Sequence, residues 1–150
     1  MFVEILDQRL VYFNPGLVLN NHVLMVFFAK IDHMPEVQQG QFKILADHSQ
    51  VERVELTSEN YRDWALNRQQ ALIGHQPYRV AIYSSSKLGF GMARMFESFF
   101  NDSEMPTQFS VFSDLDQTLD WLKAADLKPR IISLGKRAAI PLKAVGGPKA

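Results

Sequence analysis

The chain has 150 residues, 47% hydrophobic and 21% charged, the make-up of one globular domain long enough to bury a core. It contains no cysteine, which excludes disulfides, thiolate nucleophiles and cysteine metal sites and fits a reducing compartment, so a cytoplasmic protein is expected. Net charge is zero but unevenly spread: Lys128, Arg130, Lys136, Arg137, Lys143 and Lys149 follow one another with no acidic residue after residue 127, leaving 10 basic and 16 acidic residues before it.

In chain order, "MFVEILDQRLVYFNPG" predicts two short strands marked by Phe2, Ile5, Val11 and Phe13, with a turn at Asp7-Gln8 and punctuation at Asn14-Pro15-Gly16. Its "MFVEILDQ" start shows no basic leader or small-residue cleavage site, so no secretory signal is expected. Asn20-Asn21 then offers a cap, and Leu24, Phe27, Phe28 and Ile31 recur at helical spacing. A strand through "HVLMVFF" is the rival; the length of the segment and the stop at Pro35 favour the helix. The longest apolar run, "VLMVFFA", falls far short of the ~18 residues of a spanning helix, so no transmembrane segment is expected.

"QFKILADHS" (41 to 49) reads as a buried strand with a polar end. "LTSENYRDWALNRQQAL" reads as a helix capped by Thr57 or Ser58, with Tyr61, Trp64, Ala65, Arg68 and Leu72 on one face. "YRVAIYS" (78 to 84) is a strand and "SKLGFGMARMFESFF" a helix striped by Leu88, Met92, Met95, Phe96 and Phe99. "QFSVFS" (108 to 113) is the last strand, and "SDLDQTLDWLKAA" a helix capped by Ser113 with Leu115, Leu119 and Leu122 inward. The β-β-α-β-α-β-α-β-α order predicts an α/β domain over 1–127, with a mixed, largely parallel sheet of about five strands covered by helices. Residues 128–150 read as a basic C-terminal arm, extended or disordered, in which "RIISL" could dock as a short strand.

The stretches "FKILADHSQV", "YRVAIYSSSKLGFGMARMFESFF" and "FSVFSDLDQTLDWL" resemble the SpoIIAA-like family, relatives of the STAS domain with a lipid-transfer-like sheet. The likeness covers roughly residues 1 to 124. It implies a small bacterial α/β module, often regulatory or of unknown role, and in STAS regulators a phosphorylated serine lies in a "DSSGLG"-type turn. "SSSKLG" (84 to 89) looks like that turn, but it follows the penultimate strand. The position after the middle strand is held by Asp47-His48-Ser49, which lacks the second serine and the glycine. Asp47, His48, Ser49, Ser84, Ser85, Ser86 and Lys87 are therefore the candidate ligand or regulatory residues.

Other chemistry at these residues is weaker. Lys87, Gly89 and Gly91 offer fragments of a phosphate cradle without its G-x-x-x-x-G-K-[ST] pattern. "YSSSK" lacks the flanking glycines of a nucleophile elbow. A helix capped by Ser85 or Ser86, with Gly89 and Gly91 letting it approach packed backbone, accounts for the stretch. Asp47-His48 could be an acid–base pair at a strand end, although a solvated loop is the plainer reading. His22 and His33 would stand about 16 Å apart on one helix, and His22, His33, His48 and His75 make no metal spacing. Asp114 and Asp116 suit a helix N-terminus. The Met and Phe residues read as core, with a lipid pocket as the alternative.

No catalytic set and no cofactor is expected. The expected function is a non-catalytic regulatory or protein-binding module, with a carrier of a small apolar or lipid-like ligand as the alternative. The partners expected are a protein or a second copy, or a small apolar ligand. The arm is expected to pack on protein and not on nucleic acid, since its charge is sparse and interrupted by Pro129, Pro141 and Pro148.

Overall fold

β1 (Phe2–Leu6) and β2 (Leu10–Asn14) pair as an antiparallel hairpin in a computed structural model that describes residues 1–38, 42–72, 78–101 and 108–138. In the turn, Asp7 and Gln8 have φ of 49° and 56°, and the Arg9 amide donates to the Leu6 carbonyl at 3.0 Å. Two successive left-handed residues match the twist of a hairpin, so the chain reverses where the polar pair interrupts the apolar run.

β4 (Lys43–Asp47), β6 (Arg79–Tyr83) and β7 (Gln108–Phe112) extend the sheet in the order β1-β2-β4-β6-β7, every pair beyond β2 parallel. This is the mixed, largely parallel five-stranded sheet expected. Two further strands, β3 (Val18–Asn20) and β5 (Arg53–Glu55), pair as a separate parallel ribbon. At three residues each they are too short to show an alternation in sequence.

The helices fall on both faces. α1 (Asn21–Asp32) starts from Asn20, whose side chain accepts the Val23 amide at 2.9 Å, and it buries Leu24, Phe27 and Ile31. Pro35 opens the short α2 (Pro35–Gln38), where a first-turn proline has no amide bond to lose. α3 (Ser58–Ala71) is held by a reciprocal cap between Thr57 and Asn60. With α4 (Lys87–Asn101), α1 and α3 pack Phe27, Tyr61 and Phe96 over Val11, Phe13, Ile44, Val80 and Ile82. On the other face, α5 (Leu115–Leu122) and α6 (Lys128–Ala138) set Leu119, Leu122, Ile131 and Leu134 against Leu10, Tyr12, Leu45 and Ala81. β2 is buried along its whole length because both of its faces are covered.

Two expectations are corrected here. α5 is capped by Asp114, which accepts the Gln117 amide at 2.9 Å, and not by Ser113. The extended-arm reading fails for residues 128–138: they form α6, and "RIISL" is helical and not a strand. Ile131 and Leu134 are three apart, enough to bury one stripe, and Pro129 sits in the first turn where it does least harm. Two basic residues of α6 settle on the acidic body of the same chain, Lys128 on Asp116 at 2.6 Å and Arg130 on Asp7 at 2.7 Å. Residues 139–150 and His75 lie outside the described residues.

Candidate functional site

Strand parity decides the first question at the carboxyl end of β4. Asp47 and His48 are adjacent in an extended chain, so their side chains leave opposite faces of the sheet. Asp47 points toward α6: its carboxylate accepts the Tyr12 hydroxyl at 2.6 Å and the Ser49 amide at 3.0 Å. Asn14 donates to the Tyr12 oxygen at 3.1 Å. A methyl group on Gly135 would lie 3.6 Å from Asp47 Oδ2 and 3.7 Å from that hydroxyl, so α6 lies directly over the pair. Burial, with the neighbouring carboxylate, pushes the Tyr12 hydroxyl well above its usual pKa. His48 points the other way, edge-on to the Phe13 ring at 6.5 Å. Neither earlier reading of this dipeptide stands: both residues are buried and not in a solvated loop, and they do not form an acid–base pair.

The serines separate in the same way. The β4–β6 register pairs Asp47 with Tyr83, which brings Ser84 beside His48 on the α4 face. Ser84 is fully buried, and its hydroxyl has no hydrogen-bond partner among the described residues. Ser85 is exposed, with its hydroxyl 3.5 Å from the Ser49 carbonyl oxygen. Ser86 caps α4, accepting the Gly89 amide at 3.0 Å, as its place in the sequence suggests. Lys87 is the exposed first residue of the helix. Thus His48 and Ser84 share one side and Ser49 and Ser85 meet at the rim, while Asp47 belongs to a different cluster.

The two glycines differ as well. A methyl group on Gly89 would come within 2.5 Å of Ser84 Oγ and 2.8 Å of Ser86 Oγ, so Gly89 is needed for close approach, to hydroxyls and not to backbone. Gly91 faces open space, and the expectation that it meets packed backbone is wrong.

Below His48 lies an apolar cavity of about 60 Å³ between the sheet and α1, α3 and α4. Phe13, Phe27, Phe96, Ile44 and Val80 form much of its wall, and His48, Arg68, Tyr61 and Tyr78 bring polar groups to it. The wall comes to the surface at half-buried Phe28, Val51 and Val54. Arg68 is held by Asp32 through two hydrogen bonds of 2.7 and 3.0 Å and lies 4.3 Å over the Phe28 ring. Burial opposes its charge, but Asp32 and Tyr78 more than offset this and hold its pKa above the ordinary value. Burial lowers the His48 pKa to about 4, against a smaller opposing pull from Asp47, so the ring is neutral at neutral pH. Burial likewise pushes the Tyr61 hydroxyl up to about 12. The buried arginine on an apolar helix face was visible in the sequence; the cavity was not, because it depends on how three helices seat.

Among the described residues, no group of three His, Asp or Glu could hold a metal ion, and no helix is long and apolar enough to cross a membrane. Asp114 and Asp116 serve as helix cap and ion-pair partner.

No family model and no curated protein matches the chain. Among solved structures, the chain is similar to the crystal structure of an uncharacterised protein of the DUF3478 family from Shewanella loihica PV-4. The two are 16% identical over 81% of this chain and 90% of that one, with a TM-score of 0.47. The fold stated for that protein, SpoIIAA-like, is the one the sequence resemblance named.

Proposed function

We propose that this protein is a non-catalytic binding module that takes a small apolar molecule into the cavity between its sheet and α1, α3 and α4. The observation that carries this is the cavity itself. An unfilled apolar space of about 60 Å³ destabilises a fold by about 1.4 kcal/mol at ~24 cal/mol per Å³. One larger side chain at Ala46 or Ala93, both on its wall, would remove it. The space is apolar, as ligand sites mostly are, and at about 60 Å³ it suits only a small occupant or the end of one. The non-catalytic reading draws on strand parity, which keeps Asp47 away from His48 and Ser84, so these three candidates do not converge as acid, base and nucleophile.

Xenon is a suitable headless probe of an apolar space of this size. Xenon binding followed by ¹²⁹Xe NMR should be saturable in the wild type and lost in Ala93→Leu. Native mass spectrometry of protein from its own host should show a retained small molecule. A cavity that takes up no xenon and a mass equal to the bare chain would remove this reading. A regulatory, protein-docking role is the second reading, favoured by the exposed side chains of Leu17, Met25, Leu66 and Leu88. It calls for a stable complex or dimer in size-exclusion chromatography, abolished by Asp or Lys at those positions.

A further inference from the structure

Where β4 stops, His48 brings an imidazole to the cavity wall. We propose that His48 receives the polar head of the bound molecule and that the ligand is a small neutral amphiphile, an alcohol or carbonyl compound with an apolar body. This rests on the reading of the cavity as a ligand site and gives that ligand a chemical class.

The placement of the ring comes first. His48 follows Ala46 and Ile44 on the same face of the strand, and all three lie on the cavity wall. The backbone amide of His48 donates to the Tyr83 carbonyl at 2.8 Å, which extends the parallel ladder one residue beyond β4 and fixes the side on which the ring emerges. Phe13 closes the flank of the ring. A neutral imidazole offers one N–H donor and one acceptor nitrogen, which suits a hydroxyl or a carbonyl equally. Burial holds the ring in that neutral form.

Among the described residues, the cavity wall offers no unpaired charge, and this sets the rest. A carboxylate or ammonium head would need a counter-charge, because burying an unpaired ion costs far more than one hydrogen bond returns. Asp47 lies on the far side of the sheet, engaged with Tyr12 and Ser49. Arg68 also lines the cavity, but its guanidinium is held bidentately by Asp32. Beside His48, Ser84 adds a buried hydroxyl without a partner among the described residues, again a neutral group. It lies against the first turn of α4, where Gly89 leaves no room for a methyl group, so it borders the head site and does not line the cavity.

The test uses the full chain at neutral pH with four probes of equal chain length: n-chlorobutane, n-butanol, butyrate and n-butylamine. Binding is measured by calorimetry and by the ¹⁵N shifts of the His48 ring, with xenon as the headless control. Butanol should bind roughly two- to tenfold tighter to the wild type than to His48→Leu, the range of one neutral hydrogen bond, and chlorobutane should bind the two alike. Butyrate and butylamine should bind the wild type more weakly than butanol. The His48 ring shifts should move with butanol and stay in place with xenon. If that variant does not fold, the ring shifts of the wild type decide. Equal butanol affinity in the wild type and His48→Leu, or tightest binding of butyrate, would overturn the neutral-head assignment and leave the cavity reading intact. Failure of xenon and of all four probes would overturn both.

Discussion

Gly89 and Gly91 are two residues apart at the start of α4, yet they meet opposite surroundings. A methyl group at Gly89 collides with the Ser84 and Ser86 hydroxyls, one of which caps the helix. Gly89→Ala should therefore cost ~1–3 kcal/mol by overpacking. Gly91 is an exposed helical position with nothing nearby, so Gly91→Ala should stabilise by roughly 0.5–1 kcal/mol through the usual helix preference. Urea melts of the two variants would separate these opposite signs. His48 gives a second residue-scale test. Its folded pKa is depressed to about 4 from an ordinary 6.5, so the unfolded chain binds its proton first as the medium is acidified. Stability is then full above about pH 6.5 and falls as pH drops toward 4, by up to about 3 kcal/mol from this group. Denaturant midpoints at pH 7 and pH 4.5, for wild type and His48→Leu, should show a smaller acid loss in the variant. An equal loss would mean that His48 takes no part in it.

At the scale of elements, α6 is the segment whose behaviour was hardest to foresee. Its two inward residues are core residues, at 2% exposed for Ile131 and 4% for Leu134. Ile131→Ala should cost ~2–5 kcal/mol, as large-to-small changes in a core do, and a chain ending at Leu127 should melt earlier than the full chain. An arm that only rested on the surface would show neither effect. α4 is the opposite case, since its cap is local chemistry. Ser86→Ala should cost on the order of 1 kcal/mol in a thermal or urea melt, and Ser85→Ala close to nothing, because Ser85 is exposed and makes no cap.

For the whole molecule, two residues of the basic end meet the acidic body of the same chain, Lys128 with Asp116 and Arg130 with Asp7, while Arg9 pairs with Asp126 within the body at 2.7 Å. All six side chains are substantially exposed, and such pairs are weakened by salt and contribute little each. Apolar burial through Ile131 and Leu134 should therefore dominate the docking of α6. Raising the salt to about 1 M, where screening reaches ~3 Å, should shift the melting temperature far less than Ile131→Ala does. A salt shift as large as that of the mutation would place the docking in the ion pairs.

The sequence by itself determined what depends on neighbours along the chain. Apolar spacing marked α1 through Leu24, Phe27 and Ile31, cap chemistry narrowed three helix starts to neighbouring pairs from which the structure takes Asn20, Thr57 and Ser86, and the alternation of strands with helices called for a largely parallel sheet. Even the opposite facing of Asp47 and His48 was implicit in strand parity, given that the strand runs that far. α6 escaped because its apolar pair is short and a proline stands in its first turn; only the surface offered by Leu6, Leu10, Tyr12 and Leu45 makes a helix there worth forming. The cavity, the isolation of Ser84 and the shared side of Ser84 and His48 belong to tertiary structure alone. They arise where side chains distant in sequence meet, and no local periodicity encodes how closely three helices seat on a sheet or what volume they leave between them.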